Sequence, residues 1–247
     1  MDALEIMFGK KSIADKIAES KSVGSENCKT ASVQASRTKR SNTVVEKEKD
    51  HKTKAACLSG VKTTQIKNAD SVKDDLCRRY IAFDTETTGF SAYNDRIIEL
   101  GAVLFENGKA VKSFGTLVNA GKAVPPAASR VNHITNDMLK SAPSEKEVYP
   151  QFVKFLGDAI NGETIICAHN ASFDMRFLAA TFERLGIDAN IRFVDTLAIC
   201  KKCVTCTTDH KQPTMAQHFN INQKDAHRAE SDALVCGLIM DNLLKIM

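Results

Sequence analysis

Residues 80–90 read "YIAFDTETTGF". Four residues of buried-strand character, Tyr80 to Phe83, run directly into two carboxylates, Asp84 and Glu86, one residue apart. In a strand, positions i and i+2 face the same way. Two like charges would therefore stand side by side at the end of a buried strand, a costly arrangement unless positive charge lies between them.

Outward from this stretch, strand and helix signals alternate. Residues 79–84 form the first expected strand. "RIIELGAVLFENGKAVKSFGTLVNA" holds two more, joined by a turn at Asn107-Gly108. Pro125-Pro126 marks a loop, and a helix is expected over Lys146–Ile160. "ETIICAHN" reads as a short buried strand, Ser172–Gly186 as a helix with a glycine stop, "IRFVDT" as a last strand and Ala229–Lys245 as a long closing helix. The order predicts an α/β fold, with a mixed five-stranded sheet flanked by helices.

Two of the helices carry an acid on the apolar face. From Asp174, residues Phe177, Leu178, Thr181, Phe182 and Leu185 fall at helical spacing, and from Asp232 so do Val235, Cys236 and Ile239. Either acid alone reads as a cap or an edge-of-stripe residue. Four acids at the ends of elements that pack on one sheet read differently. Asp84, Glu86, Asp174 and Asp232 are expected to bind two hard divalent cations, Mg²⁺ or Mn²⁺, which take oxygen ligands. A pair of cations ~3.5–4 Å apart suits in-line displacement at phosphorus. His227, five residues before Asp232 in "DAHRAESDA", is placed to take a proton from attacking water.

The stretches "FDTETTG", "IIELGAV", "HNASFD" and "HRAESDA", in that order over about residues 79–245, resemble the DEDDh, or DnaQ-like, exonuclease family, with a likeness to the proofreading exonuclease subunits and domains of bacterial replicative polymerases. The resemblance implies an RNase H-like fold and metal-dependent removal of nucleotides from a 3′ end. It assigns Asp84 and Glu86 to the first acidic pair, Asp174 to the second motif, and His227 with Asp232 to the third. It also implies substrate contacts at Thr87, Gly89, Val131, Asn132, Asn170 and Phe173, with Gly89 allowing a tight turn. The family pattern carries a carboxylate where this chain has Ala127.

The expected function is therefore 3′–5′ hydrolysis of single-stranded DNA ends to nucleoside 5′-monophosphates, in proofreading or repair. RNA trimming, or degradation of short RNA, is the alternative with the same chemistry, because no motif reports on the 2′-hydroxyl. An inactive nucleic-acid-binding scaffold is the alternative from another class. The presence of all four acids and the histidine speaks against it.

Composition divides the chain of 247 residues. Residues 1–79 hold 17 Lys and Arg against 11 Asp and Glu, a net of +6, leaving −2 for the rest. The segment 1–75 is expected to be a basic, largely disordered arm, and 76–247 the exonuclease domain. Such an arm either attracts nucleic acid or serves as a solvated linker. Its "ALEIMF" at residues 3–8 is a short apolar peptide that reads as an amphipathic turn with no partner or, alternatively, as a peptide docking on a polymerase or sliding clamp. "MDALEIMFGKKS" lacks the pattern of a signal peptide, and no run is apolar enough to span a bilayer, so a cytoplasmic location and no membrane partner are expected. The eight cysteines then read as reduced thiols. Cys200, Cys203 and Cys206, with His210 nearby, read either as a zinc site or as reduced cysteines together by chance, and the second is expected because structural zinc usually takes two separated ligand pairs.

Overall fold

The computed structural model describes residues 60–223 and 227–247. Its centre is strand β2 (Arg79–Thr87), in which Tyr80, Ile81, Ala82 and Phe83 are all buried. A strand that is apolar on consecutive positions needs cover on both faces. Tyr80 and Ala82 pack into one core and Ile81 and Phe83 into another on the opposite side of the sheet.

Among the described residues six strands make the sheet, in the order β1 (Val61–Gln65), β6 (Ala189–Asp195), β5 (Ile165–Ala168), β2, β3 (Ile97–Glu106), β4 (Lys109–Leu117). β3 (Ile97–Glu106) and β4 (Lys109–Leu117) form the expected hairpin beside β2. Asn107 and Gly108 both have positive φ, 50° and 73°, as a two-residue hairpin turn requires. β5 (Ile165–Ala168) and β6 (Ala189–Asp195) run parallel to β2, so the carboxyl ends of β2, β5 and β6 share one edge. The five strands expected from sequence are therefore β2 to β6. The sixth, β1 (Val61–Gln65), pairs in parallel with β6.

That strand corrects the expected boundary. Residues 60–75 are ordered, and α1 (Lys73–Arg78) leads directly into β2 with Leu76 buried. "VKTTQ" carries little apolar signal because an edge strand is held mainly by its backbone ladder. The remaining expectations for the arm, the docking peptide at residues 3–8 included, lie outside the described residues.

α2 (Pro126–Asn132) and α3 (Asn136–Lys140) follow the hairpin. α4 (Glu145–Leu156) opens on a capping box between Ser144 and Glu147 and stops at Gly157, after which a 3₁₀ turn covers the rest of the helix expected to reach Ile160. α5 (Ser172–Leu185) ends at Gly186 in the left-handed conformation, φ 68°. α4 and α5 cover one face of the sheet. α6 (Thr196–Cys203), α7 (Gln212–His218) and α8 (Ala229–Ile246) cover the other. Among the described residues, no helix is long and apolar enough to cross a membrane.

α8 lies unusually close to the sheet. A methyl group at Gly101, in the middle of β3, would collide with the carbonyl carbon and oxygen of Ala229. Gly115, opposite Gly101 in β4, leaves room for Glu230, whose Cβ lies 2.8 Å from where a methyl would sit. Farther along, the Tyr80 hydroxyl donates to Gly237 O at 2.9 Å. Glycine within a strand marks this kind of close approach.

Gly101→Ala should destabilise the protein by about 3 kcal/mol, the upper part of the usual overpacking range, because the obstructing atoms are backbone. Urea unfolding checks this. A variant as stable as the parent would mean that the first turn of α8 has slack over β3.

Candidate active site

Asp84 lies opposite Gly101 and Glu86 opposite Glu99 in the β2–β3 ladder, so both β2 acids face the side covered by α8. The ladder shifts register between Glu86 and Thr87. Such a bulge bends the strand and re-aims its last side chains. Asp232, in the first turn of α8, is 7% exposed. It comes within reach of the β2 acids because its helix sits flush on Gly101.

Asp174 arrives from the other face, in the first turn of α5, and is 4% exposed. Thr85, between the two β2 acids and pointing the opposite way, donates its hydroxyl to Asp174 Oδ1 at 2.8 Å. Both acids expected on the inward face of a helix are thus buried at the carboxyl edge of the parallel strands, where open α/β sheets bind ligands.

Glu86, His227 and Asp232 each offer a ligand atom, all within 4.8 Å of one another. Among the described residues no other set of His, Cys, Asp and Glu side chains is grouped as closely. Asp84 and Asp174 stand outside that set but are joined to it by charge. Burial holds the Asp84 carboxyl well above the ordinary range, and the charges of Asp174, Asp232 and Glu86 push it further. Burial also pushes Glu86 up to about 8, with Asp232, Glu99 and Asp174 adding to it. Asp174 and Asp232 are raised by burial as well, against hydrogen bonds from Thr85 and from the His227 backbone that favour their ionised forms. Four carboxyls that resist ionising together, with oxygen donors and one imidazole, fit hard divalent cations.

The other expected residues sit around this cluster. Thr87 Oγ1 donates to Gly89 O at 2.6 Å. Gly89 is needed for space rather than for a left-handed turn, because a methyl there would strike the Asp95 carboxylate. That carboxylate accepts from Ser91 N, Thr88 Oγ1 and Lys122 Nζ and so fixes the loop after the acids. Asn132, 2% exposed, is a buried strut whose Nδ2 donates to Thr87 O at 3.3 Å. Val131 beside it is 60% exposed. Asn170, with φ 67°, donates its backbone N–H to Asp195 Oδ1, the N-cap of α6. Phe173 is half-buried, packing on Phe177 and edge-on to Phe90, which is 88% exposed. Ala127 lies exposed in α2.

Several supports escaped the sequence reading. Arg228 donates to Glu99 Oε1 through Nε at 2.9 Å and Nη2 at 2.6 Å, and Ala229 N donates to Glu99 Oε2. This pins the start of α8 to β3 and supplies positive charge beside the acids. Glu99 did carry a signal, an acid inside the apolar "IIELGAV". Gln212 and Gln223 donate to Asp232 Oδ1 at 3.1 and 2.5 Å, and no spacing announces either. His169, its pKa lowered chiefly by burial, links Thr196 to the carbonyl of His210. Of the cysteine cluster, Cys200 is buried in α6, Cys203 ends that helix and Cys206 is exposed beyond it.

The chain matches a family model described as exonuclease over residues 81–240. It is 40% identical over 160 residues to the DNA polymerase III subunit epsilon of Treponema pallidum, a match covering 64% of this chain and 72% of that one. It is 33% identical over 178 residues to a PolC-type DNA polymerase III of Lacticaseibacillus paracasei, where the match covers 72% of this chain and 12% of the relative. The fold is similar to E. coli exonuclease I in complex with a dT13 oligonucleotide, with TM-score 0.61 at 14% identity over 68% of this chain and 41% of that one. It is also similar to exonuclease X in complex with 5′ overhanging duplex DNA, with TM-score 0.53 at 22% identity over 68% and 90%.

The raised carboxyl of Glu86 predicts how the metal-free protein responds to pH. A folded pKa of about 8 lies above the ordinary 4.5, so stability falls as pH rises from about 4.5 to about 8 and levels off above that. In EDTA, Glu86→Gln should match the parent near pH 4 and exceed it near pH 9 by on the order of 1–3 kcal/mol, a range reduced for water screening of a partly exposed group. Thermal melts at both values test this. Parallel behaviour of the two proteins would mean that Glu86 ionises without strain.

Proposed function

The chain belongs to the exonuclease family, as a 3′–5′ exonuclease of the DnaQ-like type, and we propose that it acts on single-stranded DNA ends with two divalent cations, releasing nucleoside 5′-monophosphates. The observation that carries this reading is the convergence of β2, α5 and α8, which brings four acids and His227 to one edge of the sheet.

Asp84, Glu86, Asp174 and Asp232 would hold the cations, Mg²⁺ or Mn²⁺. When bound, these supply Lewis-acid stabilisation of phosphoryl oxygens and a lowered pKa for water. The rest of the work falls to the chain. His227 is exposed, so a proton taken on its ring passes directly to solvent. Its backbone N–H donates to Asp232 Oδ2 at 2.9 Å, which ties the position of the base to that of a proposed ligand. The Asp95-braced loop would present Thr87 and Gly89 to the terminal nucleotide, and Val131, Asn170 and Phe173 would line its groove. Exposed Phe90, held edge-on against Phe173, offers an aromatic ring of the kind unpaired bases stack on.

Single-stranded DNA is the proposed polymer because the similar exonuclease I structure holds an oligonucleotide of that kind. Proofreading is the proposed setting because of the relation to an epsilon subunit and to the PolC-type polymerases, of whose length this chain spans about an eighth. The polymerase would be a partner. The free thiols of the described cysteines accord with a reducing compartment, and the cytoplasm is the proposed location.

Asp84→Ala and Asp174→Ala should each abolish turnover of 5′-labelled single-stranded DNA in Mg²⁺ while the protein stays folded. Near-parental rates in either would remove the two-cation reading. His227→Ala should slow kcat by roughly 10²–10⁴-fold, the span expected for a general base. RNA of the same sequence, run beside the DNA, should be degraded more slowly; faster loss of RNA would reassign the substrate.

A further inference from the structure

His133 is the last residue of the connection from α2 into the buried segment that follows. It caps α2 in the left-handed conformation, φ 59° and ψ 14°, with its N–H donating to Ser129 O at 2.9 Å. That position is usually taken by Gly and sometimes by Asn, which meet less steric resistance there. On either side the chain is buried and pinned. Asn132 bonds to Thr87 O and accepts from Ile134 N, and Ile134 packs with Ile98, Val124 and Leu139. Only the imidazole between them is turned outward.

It is turned toward His227. The two rings meet edge to face, with centroids 6.1 Å apart and planes at 67°. His227 also has a left-handed backbone, φ 66°, and its N–H is committed to Asp232. The next residue, Arg228, is anchored on Glu99. Both histidines therefore stand on hydrogen-bonded backbones, with their rings in contact beside the acidic cluster. An exposed imidazole on such a backbone still exchanges rotamers rapidly. A neighbouring ring at edge-to-face distance favours one of them.

We propose that His133 is a positioning residue that holds the His227 ring in its working orientation. The proposal rests on the reading of His227 as proton acceptor, and it assigns to His133 no contact with the reacting atoms. The pair is worth roughly a two- to tenfold bias in ring population, the usual strength of an edge-to-face contact.

The test compares His133→Asn, His133→Phe, His227→Ala and the double variant His133→Asn/His227→Ala in the full chain. The readouts are kcat and KM on 5′-labelled single-stranded DNA in Mg²⁺ and the melting temperature. His133→Asn should lower kcat roughly two- to tenfold at unchanged KM. Its melting temperature should equal or exceed the parent's, because Asn suits the cap. His133→Phe should restore kcat by restoring the ring edge. On top of His227→Ala, His133→Asn should cost nothing more, since there is no ring left to orient. Parental kcat in His133→Asn would overturn the proposal. So would a loss confined to KM, a His133→Phe variant as slow as His133→Asn, or an equal loss in the double variant. Failure of the underlying reading looks different: His227→Ala itself would then keep parental kcat.

Discussion

The seat of α8 on β3 is the constraint on which the rest of the site depends. Helix and strand backbones meet at Gly101 and Ala229 without an intervening side chain. This places the first turn of the helix, and with it Asp232, directly over the end of β2. A helix packed at an ordinary distance would stand several ångströms higher, and the two β2 acids would face solvent or apolar cover instead of a third carboxylate. The Glu99–Arg228 pair and the Glu99–Ala229 bond then lock the helix start in place from the side.

That arrangement concentrates negative charge in a partly dry place, and the fold manages it unevenly. Glu99 faces Glu86 across the ladder but is matched by a guanidinium, so it serves as an anchor. Asp174 and Asp232 receive hydrogen bonds from Thr85, Gln212, Gln223 and the His227 backbone, which support their ionised forms. Asp84 and Glu86 are raised by burial and by their neighbours. The site therefore resists full ionisation, and its carboxylate donors are of the type that suits hard cations over soft ones.

Around the acids, the elements that shape access are tied to the same strand. Asn132 joins the end of α2 to Thr87, and the Asp95–Lys122 pair steadies the loop that follows the acidic stretch. Asp195 serves both as cap of α6 and as acceptor for Asn170, so the ends of β5 and β6 are held together. The exposed groups, Phe90, Val131, His133 and His227, are thus mounted on supports with little freedom. Their arrangement follows from β2 outward.

Strands β2 to β6, the long helices and the four acids were legible in the sequence because each leaves a local trace. Period-two or consecutive apolar runs mark strands, an acid on an apolar helical stripe is an anomaly that can be counted, and Asn107-Gly108 and Gly186 are punctuation with a stereochemical cause. Even the closeness of α8 had a trace, in a glycine interior to a strand. What the tertiary structure alone decided are features made by residues distant in sequence. β1 is held by a ladder to β6, across more than a hundred residues, and not by its own composition. Gln212 reaches Asp232 from α7, in a different helix, and Gln223 comes from a loop with no pattern of its own. His133 gains its meaning only from His227, nearly a hundred positions away. Such contacts depend on how the chain packs, and packing distance is not written in periodicity.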